Sequence, residues 1–183
     1  MAEIIKIGDI NPKYIIERIK EGDVFIYPTD TIYGLGCNAL DSKAVNRIRD
    51  IKKRNDKPFS VIAPSKRWIL DNFKIKKAYV DKLPGPFTYV MKAKKKNLVC
   101  KEVAKGTIGV RIPDHPITKL IQKSKMPFVT TSVNLAQKKP YLKIKKISNK
   151  IKKKVDIIID NGDLDNSPST VFDFTEEFPR IIR

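Results

Sequence analysis

The chain never stays apolar for more than a few residues, and along its whole length short β-branched runs alternate with segments of helical period. That alternation constrains the fold more than any other feature, because it calls for helices layered on a sheet rather than a bundle, a sandwich or a membrane span. Strands are predicted at residues 4–7, 24–27, 59–63, 89–93, 108–112, 128–131, 155–159 and 170–174. Helices are predicted at 11–20, from an Asp41 or Ser42 cap to about residue 52, and at 116–124. The 183 residues suit one domain, 1–183, and neither an internal repeat nor a Gly/Ser linker divides them. The expected fold is α/β, a twisted mixed open sheet flanked by helices.

Charge is the strongest compositional signal, with 38 Lys and Arg against 20 Asp and Glu, a formal +18. Residues 138–154 hold nine lysines and no acid, while 156–177 hold seven acids and no base. One basic face could meet a polyanion such as double-stranded RNA or tRNA, or the lysines could simply solvate helices. Ile144, Ile147 and Ile151 recur among the lysines at helical spacing, which predicts one amphipathic helix over 143–154. Cys37 and Cys100 stand alone and His115 is the only histidine, so a metal cluster or a disulfide framework lacks material; both thiols are expected to be buried and reduced. Residues 1–10 contain no apolar signal-peptide core, and a cytoplasmic place is expected.

The residues able to do chemistry lie in the turns. Tyr27-Pro-Thr-Asp-Thr-Ile-Tyr-Gly-Leu-Gly36 sets two hydroxyls around a carboxylate and then two glycines that admit close backbone approach. It reads either as a ligand turn or as a tight turn capped by its own Thr and Asp. No Gly-x-x-x-x-Gly-Lys-Ser/Thr loop and no dinucleotide glycine fingerprint is present, so any ATP must be held in another way. Lys52-Lys-Arg54 follows a predicted helix; extended, it would aim Lys52 and Arg54 to one side as a phosphate clamp, and otherwise it complements a helix dipole. Arg111 lies inside an apolar strand, where a guanidinium needs an anion, either a substrate carboxylate or an internal Asp. His115 is read as a helix cap or packing residue in preference to a general base. Ser132-Val-Asn134 and Ser169-Thr170 offer hydroxyls and an amide that orient ligands without adding charge, and the chain scarcely supplies a base for a nucleophilic serine.

Taken together, the Pro-Thr-acid-Thr-x-Tyr-Gly-Leu-Gly turn, Lys-x-Arg, Pro-Gly-Pro-x-Thr (84–88), Val-Arg-x-Pro-x-His-Pro (110–116), Ser-x-Asn and Ser-Thr-Val (169–171) resemble the YrdC family of threonylcarbamoyl-AMP synthases, in order and over nearly the whole chain. The resemblance implies a deep basic cleft and a nucleotidyltransferase that makes threonylcarbamoyl-AMP and pyrophosphate from L-threonine, bicarbonate and ATP with Mg2+. It implies that Lys52, Arg54, Ser132 and Asn134 form a phosphate-side tetrad, that Thr31, Arg111 and Ser169 hold threonine, and that Thr107 and Arg183 touch the nucleotide; no residue is implied as a metal ligand. It also implies a threonylcarbamoyl transferase complex as partner, acting on tRNA beside the anticodon.

Several positions depart from the family pattern. Residues 54–58 form a shorter loop than in many relatives, Ile62 replaces a histidine of some members, and Ser-Val-Asn and Ala136-Gln137 replace commoner Ser-Ala-Asn and Ser-Gly sequences. Longer members carry a second C-terminal domain that this sequence does not include. Arg183 is expected to fray. Two other functions are weighed: an RNA-binding module, and the related carbamoyl-transfer domain of hydrogenase maturation factors, whose Cys-rich segments are missing here.

Overall fold

The computed structural model describes residues 2–54, 57–134 and 141–183. Its ten strands are β1 (Glu3–Lys6), β2 (Phe25–Tyr27), β3 (Gly34–Gly36), β4 (Ser60–Ile62), β5 (Phe87–Lys92), β6 (Thr107–Arg111), β7 (Phe128–Ser132), β8 (Ile157–Asp160), β9 (Thr170–Asp173) and β10 (Arg180–Ile181). They join into one mixed sheet in the order β1-β8-β2-β3-β7-β4-β6-β5-β9-β10. The helices are α1 (Pro12–Lys20), α2 (Ser42–Lys52), α3 (Lys66–Asn72), α4 (Lys77–Asp81), α5 (Pro116–Lys123) and α6 (Asn149–Lys152). Among the described residues no helix is long and apolar enough to cross a membrane.

Local chemistry accounts for the helix ends. The Asn11 side chain accepts from the amides of Lys13 and Tyr14, with Pro12 in the first turn, and Asp41 does the same for Lys43 and Ala44 at the head of α2. At the other end of α2, Lys53 takes the left-handed conformation at φ 51° and turns the chain sharply.

Side chains then sort by period onto two layers. In β2, Ile26 packs with α2 residues Val45 and Ile48, whereas Phe25 and Tyr27 face α1 and α5 through Ile15, Ile19, Ile117 and Ile121. Burial on both faces explains why the central strands read as continuous apolar runs. Phe128 anchors the second layer, edge-on to Phe25 at 5.9 Å and to Tyr27 at 5.5 Å between ring centres.

Several elements differ from the sequence reading. Gly34–Gly36, read as the open end of a turn, is a strand paired with β2 and β7. Its glycines are there for close packing: a Cβ on Gly34 would lie 2.8 Å from Tyr27 Cζ, and one on Gly36 would overlap the Val129 carbonyl oxygen. Residues 143–154 do not form one helix. A 3-10 turn at Ile144–Lys146 gives way to extended backbone at Ile147 and Ser148, and α6 adds a single turn, although Ile144, Ile147 and Ile151 are buried as their spacing requires. Two short helices, α3 and α4, and the edge strand β10 went unread. Cys37 is buried but Cys100 only half-buried, and both are free. The substituted Ala136-Gln137 pair lies outside the described residues.

The glycine packing can be tested directly. Gly36→Ala should lower the unfolding free energy by about 1–3 kcal/mol through overpacking, while Gly8→Ala, with nothing within 4 Å of the added carbon, should change it by less than about 0.5 kcal/mol in the same urea titration.

Candidate functional site

The turn after β2 is organised by Thr29. Its Oγ1 accepts from the amides of Thr31 (3.1 Å) and Ile32 (3.2 Å), donates to the Ile32 carbonyl (2.7 Å) and meets Thr31 Oγ1 at 2.9 Å. Thr29 therefore caps its own turn, and Asp30 is left to reach outward.

Asp30 accepts from Arg111 Nη2 at 2.5 Å through one carboxylate oxygen and from the Asp114 amide at 3.0 Å through the other. Both ionic side chains are over nine-tenths buried. Of the two partners considered for Arg111, the internal aspartate is in place. Arg111 Nη1 also reaches Thr31 Oγ1 at 3.4 Å, and its buried Nε has no partner among the described residues. Burial lowers the guanidinium's proton affinity and Asp30 raises it again. The Asp30 carbonyl in turn accepts from Asn166 Nδ2, tying the 161–169 segment to this turn.

Beside this pair opens a cavity of about 380 Å³. Among the residues predicted to form the site, Thr31, Arg54, Arg111, Ser132, Asn134, Ser169 and Arg183 line it. Six more hydroxyl residues, Thr29, Tyr33, Ser60, Thr88, Thr130 and Thr131, contribute to the wall. Thr88 Oγ1 bonds Ser169 Oγ at 2.9 Å, so the Pro-Gly-Pro-x-Thr motif places a hydroxyl behind a predicted threonine contact. Asp30 and Thr88 sat inside motifs that the sequence reading quoted without assigning them a role; side-chain chemistry was visible there, direction was not.

Lys52 stands behind the lining. Its Nζ, on an almost fully buried side chain, donates to the Ser132 carbonyl (2.6 Å), the Asn134 carbonyl (3.1 Å) and Asn134 Oδ1 (2.8 Å), and Ser132 Oγ donates to the same Oδ1 at 2.6 Å. The predicted tetrad is thus brought together, with the lysine holding the Ser132–Asn134 segment from the rear. Of the two readings of Lys-x-Arg, the helix end is the one present: Lys52 closes α2 and left-handed Lys53 follows. Arg54 lies over the Phe59 ring, 5.2 Å from its centre, and donates to the Lys57 and Pro58 carbonyls. Burial and the neighbouring Arg54 charge push the Lys52 ammonium down to about 7.

Three predicted positions fall elsewhere. Thr107, at the start of β6, is not among the lining residues. Ile62 packs in the α1/α5 layer, away from the cavity. His115 caps α5, its Nδ1 accepting from the Ile117 amide at 3.3 Å, and burial keeps its pKa below the usual value. Arg183 is not frayed: its carbonyl accepts from Val171 and its Nη2 donates to the Ser169 carbonyl and hydroxyl, each at 3.3 Å.

Arg54, Arg183 and Lys52 share one feature. Among the described residues their partners are carbonyls, an amide oxygen or a hydroxyl, never a carboxylate. Neutral acceptors fix a cation's direction without cancelling its charge. Among the described residues no Asp or Glu lines the cavity, which suits a polyanionic ligand.

Comparison with known proteins finds relatives over nearly the whole chain. The Sua5/YciO/YrdC family model, described as "Telomere recombination", matches residues 17–183. The chain is 37% identical over 188 residues to a putative threonylcarbamoyl-AMP synthase of Methanocaldococcus jannaschii, covering 96% of this chain and 89% of that protein. It is 32% identical to the Escherichia coli protein YciO over 204 residues, 100% of this chain and 95% of that one. In structure it matches Pyrococcus abyssi Sua5 complexed with L-threonine at a TM-score of 0.88 and 31% identity, covering 100% of this chain but 57% of the longer Sua5 chain.

Two outcomes follow from the site. Asp30→Ala alone should destabilise the fold by about 3–5 kcal/mol by stranding a buried guanidinium, and Asp30→Ala with Arg111→Met should cost less than Asp30→Ala alone in a denaturation cycle. Phosphate in front of Lys52 would favour its charged form, so ATP affinity should fall with rising pH from the free protein's value of about 7 and level off above the raised value in the complex; Lys52→Met should bind more weakly and without that pH step.

Proposed function

We propose that this chain, which belongs to the Sua5/YciO/YrdC family, is an L-threonylcarbamoyladenylate synthase that converts L-threonine, bicarbonate-derived CO2 and ATP to threonylcarbamoyl-AMP and pyrophosphate. The observation that supports this most is the pairing, around one cavity, of an arginine–hydroxyl group (Arg111, Thr31, Ser169) with cations held by neutral acceptors (Arg54, Arg183). The first group suits an amino acid's carboxylate and hydroxyl, and the second suits phosphates.

In this reading Arg111, already fixed by Asp30, offers its remaining donor edge to the threonine carboxylate, while the Thr31 and Ser169 hydroxyls orient the substrate. Cationic surroundings disfavour the ammonium form of threonine, and the neutral amine adds to CO2, releasing a proton to solvent. The carbamate oxygen attacks the α-phosphorus as the bond to the β-phosphate oxygen breaks and pyrophosphate leaves. Arg54 meets the phosphate charge, and Ser132 and Asn134, braced by Lys52, keep the chain in line. No protein nucleophile is needed.

Mg2+ is expected with ATP. No cluster of three His, Cys, Asp or Glu occurs among the described residues and no Asp or Glu among them lines the cavity, so the donors present fit an ion delivered on the phosphates, with the Thr131 and Ser132 hydroxyls able to complete its shell. There it would offset phosphate charge and ease departure of pyrophosphate. The product would pass to a threonylcarbamoyl transferase complex acting on tRNA in the cytoplasm, and exposed Lys145, Lys146, Lys150, Lys153 and Lys154 offer a surface for that RNA.

Pyrophosphate release from ATP and Mg2+, with and without bicarbonate and L-threonine, tests the reading. Release should depend on threonine, and Arg54→Ala, whose side chain among the described residues meets the Lys57 and Pro58 carbonyls and the Phe59 ring, should reduce it by about 100-fold or more at an unchanged melting temperature. Near-wild-type turnover in Arg54→Ala, or threonine-independent release, would refute it.

A further inference from the structure

Strand parity separates the two faces of β5. Phe87, Tyr89 and Met91 pack in the layer that holds α2, so Thr88 points to the opposite face, where it lines the cavity at 4% exposure. β9 runs parallel beside it, with Thr88 opposite Val171. Ser169, two residues before Val171, shares that face and also lines the cavity. Valine would serve a strand here as well as threonine does, so the Thr88 hydroxyl needs an account of its own.

A hydroxyl this deeply buried requires a partner, and among the described residues Thr88 Oγ1 has one, Ser169 Oγ at 2.9 Å. Ser169 Oγ also accepts from Arg183 Nη2 at 3.3 Å. The protons can then be placed in two ways. Either Ser169 donates to Thr88 and the Thr88 proton is left over, or Thr88 donates to Ser169 and the Ser169 proton is left over. The guanidinium decides between them. By donating to Ser169 Oγ it polarises that hydroxyl and strengthens it as a donor toward an anion. The favoured arrangement fills both Ser169 lone pairs, one from Arg183 and one from Thr88, and turns the Ser169 proton to the cavity.

We propose that Thr88 is a positioning residue for the threonine half of the site: its hydroxyl donates to Ser169 Oγ, so that Ser169 meets the substrate as a donor to one of its acceptor oxygens. Thr88 acts through Ser169 and does not itself touch the substrate. The inference rests on the reading of Arg111, Thr31 and Ser169 as the threonine contacts.

L-Threonine and, separately, ATP with Mg2+ are titrated into the full chain by calorimetry, with melting temperatures recorded alongside. Thr88→Val, nearly isosteric, should weaken threonine by at least about fivefold and leave ATP affinity within about twofold, and Thr88→Ser should restore threonine binding. In a Ser169→Ala chain, Thr88→Val should weaken threonine by less than about twofold further, because the residue it acts through is gone. A merely structural role would weaken both ligands and persist in the Ser169→Ala chain. Wild-type threonine affinity in Thr88→Val, an equal loss of ATP affinity, or full additivity with Ser169→Ala would each overturn the proposal. Pyrophosphate release by the wild type separates this from the reaction itself: threonine binding without threonine-dependent release would sink the synthase reading and leave the role of Thr88 to the variants. Threonine-dependent release with wild-type affinity in Thr88→Val would sink the positioning role alone, and absence of saturable threonine binding would sink both.

Discussion

Four parts of the chain meet at one aspartate. Asp30 holds Arg111 at the end of β6 and the amide of Asp114 on the way into α5, and its carbonyl takes the Asn166 side chain. A guanidinium this deeply buried could not remain there uncompensated. The pair therefore lets an arginine reach the cavity through an apolar strand, and the same contact fixes the turn after β2 against the far side of the sheet. Thr31 inherits its position from this arrangement, since its hydroxyl sits between Thr29 and Arg111.

The remaining cations follow a different rule. Arg54 and Arg183 are aimed by neutral oxygen acceptors, so each keeps its charge for a ligand. Carboxylates would have held them more tightly and left little field to attract phosphate. Carbonyl oxygens are available in number because β7 and the loop before β4 end at the cavity. Lys52 adds a cost: burial works against its ammonium, and three close oxygens oppose that loss. A phosphate arriving in front of the Ser132–Asn134 segment would favour the charged form further.

Much of this was legible in the sequence, and the limits have physical causes. Period and capping residues located α1, α2, α5 and most strands, because Asn11, Asp41 and His115 act within three residues of themselves. The motif residues Thr31, Arg54, Arg111, Ser132, Asn134 and Ser169 do converge on one cavity. What local patterns could not convey was direction across the sheet. Nothing near Lys52 indicates that its ammonium turns back to a strand eighty residues away. Arg111 advertised a need for an anion, but whether the anion was internal depended on Asp30, which sits on a distant turn. Gly36 looked like room for a ligand and proved to be room for Phe128, whereas Gly34 both makes room for Tyr27 and lines the cavity, a distinction that the fold settles. The lysine-rich stretch kept its apolar stripe while breaking its helix, since burial of Ile144, Ile147 and Ile151 needs their spacing more than it needs continuous hydrogen bonding.

The strand order also sets a timetable for synthesis. β8 lies between β1 and β2, so β1 and the outer edge of β2, which can pair early with β3, must wait for residues 157–160. β5 waits in the same way for β9. Non-local pairing of this kind closes late and slowly. On the ribosome, α1 and α2 can form early, yet the sheet edges between them stay open until nearly the whole chain has emerged. The nascent protein thus carries open strand edges beside β2 and β5 until late in its synthesis, and its positive charge would serve, in that interval, to keep neighbouring chains apart.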